Sequence, residues 1–555
     1  MQHPRTVSAG THEQPSLLAC LTPPCATRSP RTARLAPREI PVTTSPLDPT
    51  ASHEPASHTA DDAHLASLGY TSDFKRDMNF WGNFALGFTY LSPVVGVYSL
   101  FGTSLAQGGP PMIWAIVLAA LGQLLVALVF GEVVAQYPVA GGVYPWARRL
   151  WGRRWAWMTG WVYMIALTVT IAAVSYGAGP FVAIVLGIDG TTAVTVWCAI
   201  GLIVLTTLLN LGGTRLLARI AFFGFAAELV GALVVGIWVL LTERHHSVGA
   251  LFDTYDVQGD GSYFPAFAAA ALIGLYLFYG FEACGDVAEE VKDPGRQIPK
   301  AMRMTIYIGG AAAFFITFAL ILGVPSFAAV FAEQDTDPVS TVLENAFGSV
   351  GFRIVLVIVL ISFLSCVLSL QAAASRMIYA YARDDMMPGS ALLKRFSSAR
   401  HVPPYALSLA ALIPIVIILG SQVSDNALIR IISFASFGIY LAFMMVVAAA
   451  LRARLKGWKP SGTFTLGRWG LLVTIAALAY QLMASLNMIW PRTPDVPWYD
   501  NWIVALGAAI VLGVGLVYML LARPYRHSDA AHGDALNIVT PYPGESGFDR
   551  LNQRD

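Results

Sequence analysis

The stretch "FYGFEACGDVAEEVKDPGRQIPKA", residues 278–301, decides the fold, because it follows directly on an apolar segment long enough to lie in lipid. Gly280 weakens a helix at this point, and Glu282 adds a carboxylate two residues later. A carboxylate in hydrocarbon is costly, and backbone freed from the helical ladder is tolerated only where it lines a buried cavity. The pattern therefore predicts an interrupted span beside an enclosed site.

The composition of the whole chain is typical of a protein that lies in a bilayer. The 555 residues are 56% hydrophobic and 12% charged, with a mean hydropathy of +0.59, whereas soluble domains carry about a quarter of charged residues. The formal net charge of +1 gives no reason to expect a nucleic acid partner. The five cysteines have neither disulfide-framework nor zinc-type spacing, and no P-loop or HExxH motif occurs, so no cofactor and no metal are expected.

Twelve segments are apolar over about 20 residues, which is the length that crosses a bilayer. They lie at residues 80–101, 112–136, 156–186, 192–211, 217–241, 264–288, 304–331, 351–382, 404–421, 426–451, 469–490 and 501–522. The predicted fold is an all-α integral membrane protein with twelve transmembrane helices. We expect a disordered cytoplasmic N-terminal tail at 1–74, a transmembrane domain at 75–525 and a polar cytoplasmic C-terminal tail at 526–555.

The distribution of Lys and Arg predicts the orientation of these spans. With the N-terminus inside, basic residues crowd the interior connections, whereas exterior loops and their edges carry only Arg244, Arg353, Arg430 and Arg492. Positive charge accumulates on the cytoplasmic side of membrane proteins. Both ends of the chain are therefore expected in the cytoplasm, and a multi-pass protein of the plasma membrane is predicted.

Two spans are poor continuous helices. Span one has Ser92-Pro93 near its middle, and proline removes a backbone donor; span six has Gly280 mid-span. Interrupted segments at corresponding positions indicate an inverted repeat with a substrate site at the membrane midplane. We predict a five-plus-five repeat with halves at 80–241 and 264–451, followed by extra helices at 469–490 and 501–522.

Four stretches resemble the amino acid–polyamine–organocation permeases, and within them the amino acid/choline and GABA permease-like group. They are "GEVVAQYPVAGGVYPWARRLWG" (131–152), "FYGFEACGDVAEEVKDPGRQIPKAM" (278–302), "AAASRMIYAYARDDMMP" (372–388) and, more loosely, "SPVVGVYSLFG" (92–102). The similarity runs from about residue 75 to 525. The resemblance implies alternating access around an occluded site between spans one, three, six, eight and ten.

The resemblance also implies the substrate-binding residues. Backbone at Ser92, Val94, Val95 and Gly96 would receive a carboxylate, and carbonyls near Ser92, Tyr279 and Gly280 would receive an ammonium group. Tyr276 stands where the family often places an aromatic lid. Many amino acid members have a Gly-Ser-Gly type of run where this chain has Val94-Val95-Gly96. That departure leaves GABA, other amines and choline-like cations open as substrates.

Two carboxylates inside the spans are candidates for proton coupling. Glu282 lies in the broken part of span six, where it would bind substrate and gate the site or sense protons; the alternative is a helix-end acid satisfied by backbone N–H groups. Glu228 lies at the centre of span five, where a carboxylate costs several kcal/mol unless it is paired or protonated. It would carry the coupling proton, hold a cation, or remain a neutral hydrogen-bonded acid.

Other charged residues are interpreted structurally. Glu132, at the end of span two, is expected to pair with Arg148 or Arg149. The run that contains Glu289 and Glu290 is expected to be a mostly solvated interior connection, with a conditional role in closing an inner gate. Serines 362, 365 and 369 in span eight are expected to pack helices rather than bind sodium.

These observations predict a secondary active transporter of an amino acid or related small amine, not an enzyme. Its partners would be the substrate, a coupling proton and the lipid bilayer. The first alternative is a choline or polyamine permease, or an exchanger, on the same fold. A nutrient sensor that binds without transporting is a further alternative.

Overall fold

The structure is a computed structural model that describes residues 56–71, 73–420, 427–492, 496–528 and 530–536. Within these ranges the regular structure is helical, and extended segments pair only at the isolated bridges Met78–Val291 and Ser397–Val402. The predicted all-α fold is confirmed.

Twenty α-helices follow one another along the described chain. They are α1 (Ala56–Ser67), α2 (Phe80–Leu91), α3 (Pro93–Gly108), α4 (Ile113–Gln136), α5 (Val143–Leu150), α6 (Arg153–Leu186), α7 (Thr192–Asn210), α8 (Thr214–Thr242), α9 (Tyr263–Ala270), α10 (Leu272–Leu277), α11 (Ala283–Asp286), α12 (Pro294–Gly323), α13 (Phe327–Phe331), α14 (Pro338–Arg383), α15 (Ser390–Leu393), α16 (Pro404–Gly420), α17 (Ala427–Leu455), α18 (Gly470–Ile489), α19 (Trp498–Asn501) and α20 (Ile503–Ala522).

Ten helical segments of the described residues are long and apolar enough to cross a membrane. Two shorter apolar segments, Tyr263–Leu277 and Pro404–Gly420, fall within the predicted spans six and nine. The chain is therefore a multi-pass membrane protein, while the count of twelve spans stays a prediction.

The long helices pack around a shared interior. α12 packs on α4, α17 packs on α6, and α14 packs on both α8 and α6. The buried face of this bundle surrounds the two interrupted segments, since most residues of α2 and α3, all but Leu272 of α10, and all of α11 are buried.

Several span boundaries differ from the prediction. Span six, predicted over 264–288 with an interruption at Gly280, is interrupted there, since helical structure stops at Leu277 and resumes at Ala283; its helices begin at Tyr263 and end at Asp286. α12 begins at Pro294 and ends at Gly323, and the remainder of the predicted span seven is the separate α13. α14 begins well before residue 351 and is broken at Gly348, where φ is 65° and ψ is 174°.

The described ends of the chain pack against α5. Leu65 in α1 and Leu68 just after it are buried, and Arg149 of α5 donates to the carbonyl of Leu68. At the other end, the amide of Gly533 donates to the carbonyl of Arg148 at 3.0 Å. Within the tail predicted at 1–74, α1 is helical and Leu65, Leu68 and Phe74 are buried. Residues 1–55 and 72 lie outside the described part, and the disorder expected of the tail stays a prediction.

Candidate functional site

The break in span one is centred on Ser92. Its φ of 43° and ψ of 88° are left-handed, and its amide closes α2 by donating to the carbonyl of Phe88 at 2.7 Å. Pro93 then opens α3, a position where the N–H that proline lacks would have had no helical partner. The Ser-Pro pair therefore ends one half-helix and begins the next.

The first-turn amides of α3 all have acceptors within the protein. The amide of Val94 donates to Glu228 Oε1 at 2.9 Å, and the amide of Val95 donates to Ser92 Oγ at 3.4 Å. The amide of Gly96 donates to the carbonyl of Ser92 at 3.0 Å. The predicted carboxylate-receiving backbone is thus occupied by the chain's own oxygens.

The break in span six lies directly against the break in span one. Gly280 has a φ of 116°, and a Cβ placed on it would lie 2.6 Å from the backbone nitrogen of Leu91. Only glycine combines this conformation with so close an approach of two backbones. The two interruptions therefore form one structural feature.

Glu282 is tied to the break and to a second carboxylate. Its Oε2 accepts from the amide of Gly280 at 2.7 Å. The hydroxyl of Tyr163 on α6 lies 3.4 Å from Glu282 Oε1 and 3.0 Å from Asp286 Oδ2. Glu282 and Asp286 are fully buried, so two acids share one hydroxyl in the interior.

Glu228 reaches the start of α3 from the middle of α8. Its Oε1 accepts from Ser92 Oγ at 2.7 Å as well as from the amide of Val94. The side chain is 0% exposed, and its Oε2 has no hydrogen-bond partner among the described residues. A helix N-terminus stabilises negative charge, which explains why this end of α3 attracts a carboxylate.

Tyrosines cover the site between the two breaks. The ring of Tyr279 lies edge-on to Tyr276 at 5.8 Å and to Tyr90 at 6.3 Å. Tyr276 is buried, and within the described chain its hydroxyl has no hydrogen-bond partner. The thiol of Cys366 on α14 donates to the carbonyl of Tyr90 at 3.3 Å, next to the break in span one.

The structure thus brings together the residues proposed from sequence. Ser92, Val94 and Glu228 are joined by hydrogen bonds, as are Gly280 and Glu282. Asp286 was missed as a site residue, although its position four residues after Glu282 could have suggested a shared helix face.

The hydroxyls of the span-eight serines are used within the bundle. Ser362 Oγ donates to the carbonyl of Ile358 at 3.2 Å, and Ser365 Oγ donates to the carbonyl of Ile361 at 3.0 Å. No group of three or more His, Cys, Asp or Glu side chains in the described ranges could hold a metal ion.

A layer of buried ion pairs lies at the α5 end of the site, and we call it the ion-pair layer. Glu290 pairs with Arg376 at 2.8 Å, Glu289 pairs with Arg383 at 2.9 Å, and Arg148 pairs with Asp384. The prediction of a solvated connection is therefore wrong for Glu289 and Glu290, which are fully buried. The arginines that neutralise them come from the distant end of α14.

The partner expected for Glu132 also differs. Glu132 pairs with Arg454 at the end of α17 and accepts from the amide of Leu466 at 2.8 Å. Arg148 and Arg149 pair with other acids: Arg148 with Asp384, and Arg149 with Asp534 near the C-terminus.

Comparison with known proteins gives a consistent assignment. A family model described as "Amino acid permease" matches residues 78–516. The chain is 30% identical to "Amino-acid permease BAT1 homolog" of Oryza sativa subsp. japonica, over 81% of this chain and 92% of the relative. It is 23% identical to "GABA-specific permease" of Saccharomyces cerevisiae, over 86% of this chain and 87% of the relative.

A solved structure supports the fold. The manganese transporter of Eremococcus coleocola superposes with a TM-score of 0.55 at 14% identity, over 80% of this chain and 94% of that one. At this identity the likeness shows the fold alone. Because the family model spans most of the sequence, the chain belongs to the amino acid permease family, whose members are transporters and not enzymes.

Proposed function

We propose that this permease is a secondary active transporter that moves an amino acid or a related small amine across the plasma membrane by alternating access, coupled to protons. Its substrate would lie where the two breaks meet. The carboxylate would bind backbone at Ser92, Val94, Val95 and Gly96, and the amine would bind carbonyls near Ser92, Tyr279 and Gly280, under Tyr276.

One observation carries the proposal: three buried carboxylates that pair with no basic side chain of the described residues lie where the two breaks meet. Glu228, Glu282 and Asp286 are each 0% exposed, and none of them forms an ion pair in the part of the chain that the structure describes. A buried charge without a partner is expensive. A protonated acid or a bound ammonium group removes that cost, which suits a carrier of protons and amines.

Glu282 and Glu228 are the proposed proton carriers. Glu282 shares the Tyr163 hydroxyl with Asp286, and two acids in such contact titrate as a coupled pair. Movement of one proton in this pair would change the charge beside Gly280, and with it the affinity for an ammonium group.

Names of relatives narrow the substrates worth testing. One relative is named a GABA-specific permease and another a branched-chain amino acid permease of Bacillus subtilis, 26% identical over 71% of this chain. Both GABA and branched-chain amino acids carry one ammonium group and one carboxylate, which are the two groups that the proposed site would bind.

The ion-pair layer would form the inner gate. We place it, together with both ends of the chain, on the cytoplasmic side, in line with the distribution of basic residues. Opening this side would separate Glu289 from Arg383 and Arg148 from Asp384. In the inverted-repeat arrangement, halves at 80–241 and 264–451 would rock about the two breaks.

Uptake into liposomes tests the proposal. Purified protein is reconstituted, and uptake of labelled GABA, L-leucine, L-alanine, choline and putrescine is measured with and without an inward proton gradient. We expect gradient-driven accumulation of at least one amino acid. Counterflow without gradient-driven accumulation would instead identify an exchanger, and binding without any transport would identify a sensor.

A variant pair tests the role of Glu282. Glu282→Gln keeps the size and the hydrogen-bonding capacity of the side chain but cannot ionise, so we expect loss of most gradient-driven accumulation with retained counterflow. Glu344→Gln is the matched control, because Glu344 is exposed on α14. Equal proton-driven accumulation in both variants would remove Glu282 from the coupling step.

A further inference from the structure

The start of α3 is an anion-binding position that is already filled. Two amides after Pro93 have no helical partner: that of Val95 donates to Ser92 Oγ and that of Val94 donates to Glu228 Oε1. The amide of Gly96 already makes the first helical hydrogen bond, to the carbonyl of Ser92. Ser92 Oγ donates to the same carboxylate oxygen of Glu228 at 2.7 Å. A helix N-terminus with free amides is a general site for carboxylates and phosphates, and here a side chain of the protein occupies it.

Only one of the two carboxylate oxygens of Glu228, Oε1, accepts hydrogen bonds at this position. Its Oε2 is buried and has no hydrogen-bond partner among the described residues. The Tyr276 hydroxyl is likewise unpaired within the described part. Buried polar atoms without partners are rare and costly in proteins, so this arrangement is suited to exchange its contacts with a ligand.

We infer that Glu228 is a stand-in for the substrate carboxylate, and that an amino acid binds by displacing it from Val94 and Ser92. This inference rests on the proposed function. Once displaced into an apolar surrounding, Glu228 takes one proton from a hydronium ion of the solvent: an O–H bond of the hydronium breaks, an O–H bond forms on Glu228, and a water molecule is left. The amino acid and one proton are then bound together, which would couple their transport.

Few other groups near Glu228 could take up a proton when a ligand binds. Of the helices packed on α8, α14 contributes the thiol of Cys366, and the α2–α3 junction contributes the Ser92 hydroxyl. Tyr90, at the end of α2, interacts electrostatically with Glu282 and Asp286 instead. Described residues of α7 and α12 form no ion pair or hydrogen bond with Glu228. Glu282 and Asp286 are the remaining ionisable acids of the site, so they need a separate control.

The stand-in role predicts a pH dependence that differs between acids and amines. A ligand that must displace an ionised Glu228 loses affinity tenfold for each pH unit above the pH at which Glu228 ionises, because one proton is taken up with each ligand. A ligand without a carboxylate has no need for the amide of Val94, and Glu228 then contributes no such loss.

The test compares matched probes on purified, full-length protein in nanodiscs. The carboxylate-bearing probes are GABA and L-leucine, and their decarboxylated partners are propylamine and isopentylamine. Binding is measured from pH 5 to pH 9 for wild type, Glu228→Gln, Glu282→Gln and the exposed control Glu344→Gln.

For the wild type and the Glu344 control, we expect a tenfold loss of acid affinity per pH unit over part of this range, and no such loss for the amines. Glu228→Gln is expected to bind the acids without this loss, and more tightly than wild type at pH 9. The loss should persist in Glu282→Gln. An unchanged slope in Glu228→Gln, or equal slopes for acids and amines in wild type, would overturn the inference.

A second measurement needs no variant. Calorimetry in buffers of different ionisation enthalpy counts protons taken up by wild-type protein; the expected result is one more proton per acid than per amine, and an equal count refutes the inference. Gradient-driven transport that persists alongside such a refutation would leave the proposed function intact. Absence of gradient-driven uptake in wild type would defeat the proposed function instead.

Discussion

Replacing Gly280 with alanine tests whether the two helix breaks form one binding site. The φ of 116° at Gly280 is strained for any residue with a Cβ, at a cost of about 1–3 kcal/mol. The new Cβ would also lie 2.6 Å from the nitrogen of Leu91 and 3.0 Å from its Cα. Both are backbone atoms, so no change of rotamer relieves the overlap.

The expected consequence is separation of the breaks. Ordinary contact requires the span-one and span-six backbones to move apart by about 1 Å, and a misplacement of this size at a reacting or binding site costs about 100-fold. We therefore expect Gly280→Ala to fold with reduced stability and to show kcat/KM for uptake about 100-fold below wild type, measured in liposomes at matched protein density.

Gly187→Ala is the matched control. Gly187 also has a positive φ, 66°, but no atom lies within 4 Å of an added Cβ. It should therefore incur only the backbone strain, about 1–2 kcal/mol, and transport normally. Uptake by Gly280→Ala that equals uptake by Gly187→Ala would show that contact between the breaks is unimportant for transport.

Three further changes test other parts of the molecule. Arg376→Met should destabilise the protein by about 3–5 kcal/mol in thermal unfolding, because it leaves Glu290 buried without an ion-pair partner. Acidification should loosen the loop that carries His246, because partial burial lowers the pKa of this histidine and folding therefore favours its neutral form. Exchange of loop amides should rise as pH falls below about 6.5. Tyr276→Phe should stabilise the empty protein by about 1–3 kcal/mol while weakening substrate binding, since it removes a buried unpaired hydroxyl.

Each of these has its own control. Adding Glu290→Gln to Arg376→Met should restore most of the stability, and failure to do so would deny that the charge is the cause. His246→Gln keeps a donor for the carbonyl of Val324, which lies 2.8 Å from the ring nitrogen, so its loop should no longer respond to pH. Tyr440→Phe loses a bond to Tyr480 at 3.0 Å and should destabilise the protein; the same direction for Tyr276→Phe would contradict the assigned role.

Local sequence signals were sufficient to predict the interrupted helices. A proline after Ser92 and a glycine at 280 act through the backbone of their own segment, so their effect can be inferred without knowing the tertiary neighbours. Hydropathy likewise places the spans, because lipid imposes the same requirement on each of them. Hydropathy does not mark the end of a helix that continues into less apolar sequence, as α14 does before residue 351.

The burial and the partners of the charged residues could not be predicted from the sequence. Glu289 and Glu290 follow a glycine-containing segment and precede basic residues, a pattern that locally indicates a solvated connection. Their burial depends on two arginines that are distant in the sequence. Arg376 lies 86 positions after its partner Glu290, and Arg383 lies 94 positions after its partner Glu289. Glu228 could be recognised as needing a partner, but its partner, Ser92, lies 136 positions earlier. Such pairings are set by tertiary packing and leave no local pattern.

The two carboxylates accept hydrogen bonds from backbone amides that the two helix breaks set free. Interrupting a helix in the membrane frees amides that lipid cannot satisfy. In this protein Glu228 satisfies an amide at the start of α3, and Glu282 satisfies the amide of Gly280. The bonds that make the empty carrier stable are therefore made at the positions where a substrate would bind. A substrate carboxylate gains little net hydrogen bonding by replacing Glu228, because one acceptor is exchanged for another. Protonation of the displaced side chain would then decide whether binding is favourable, which ties substrate affinity to pH through the architecture of the break itself.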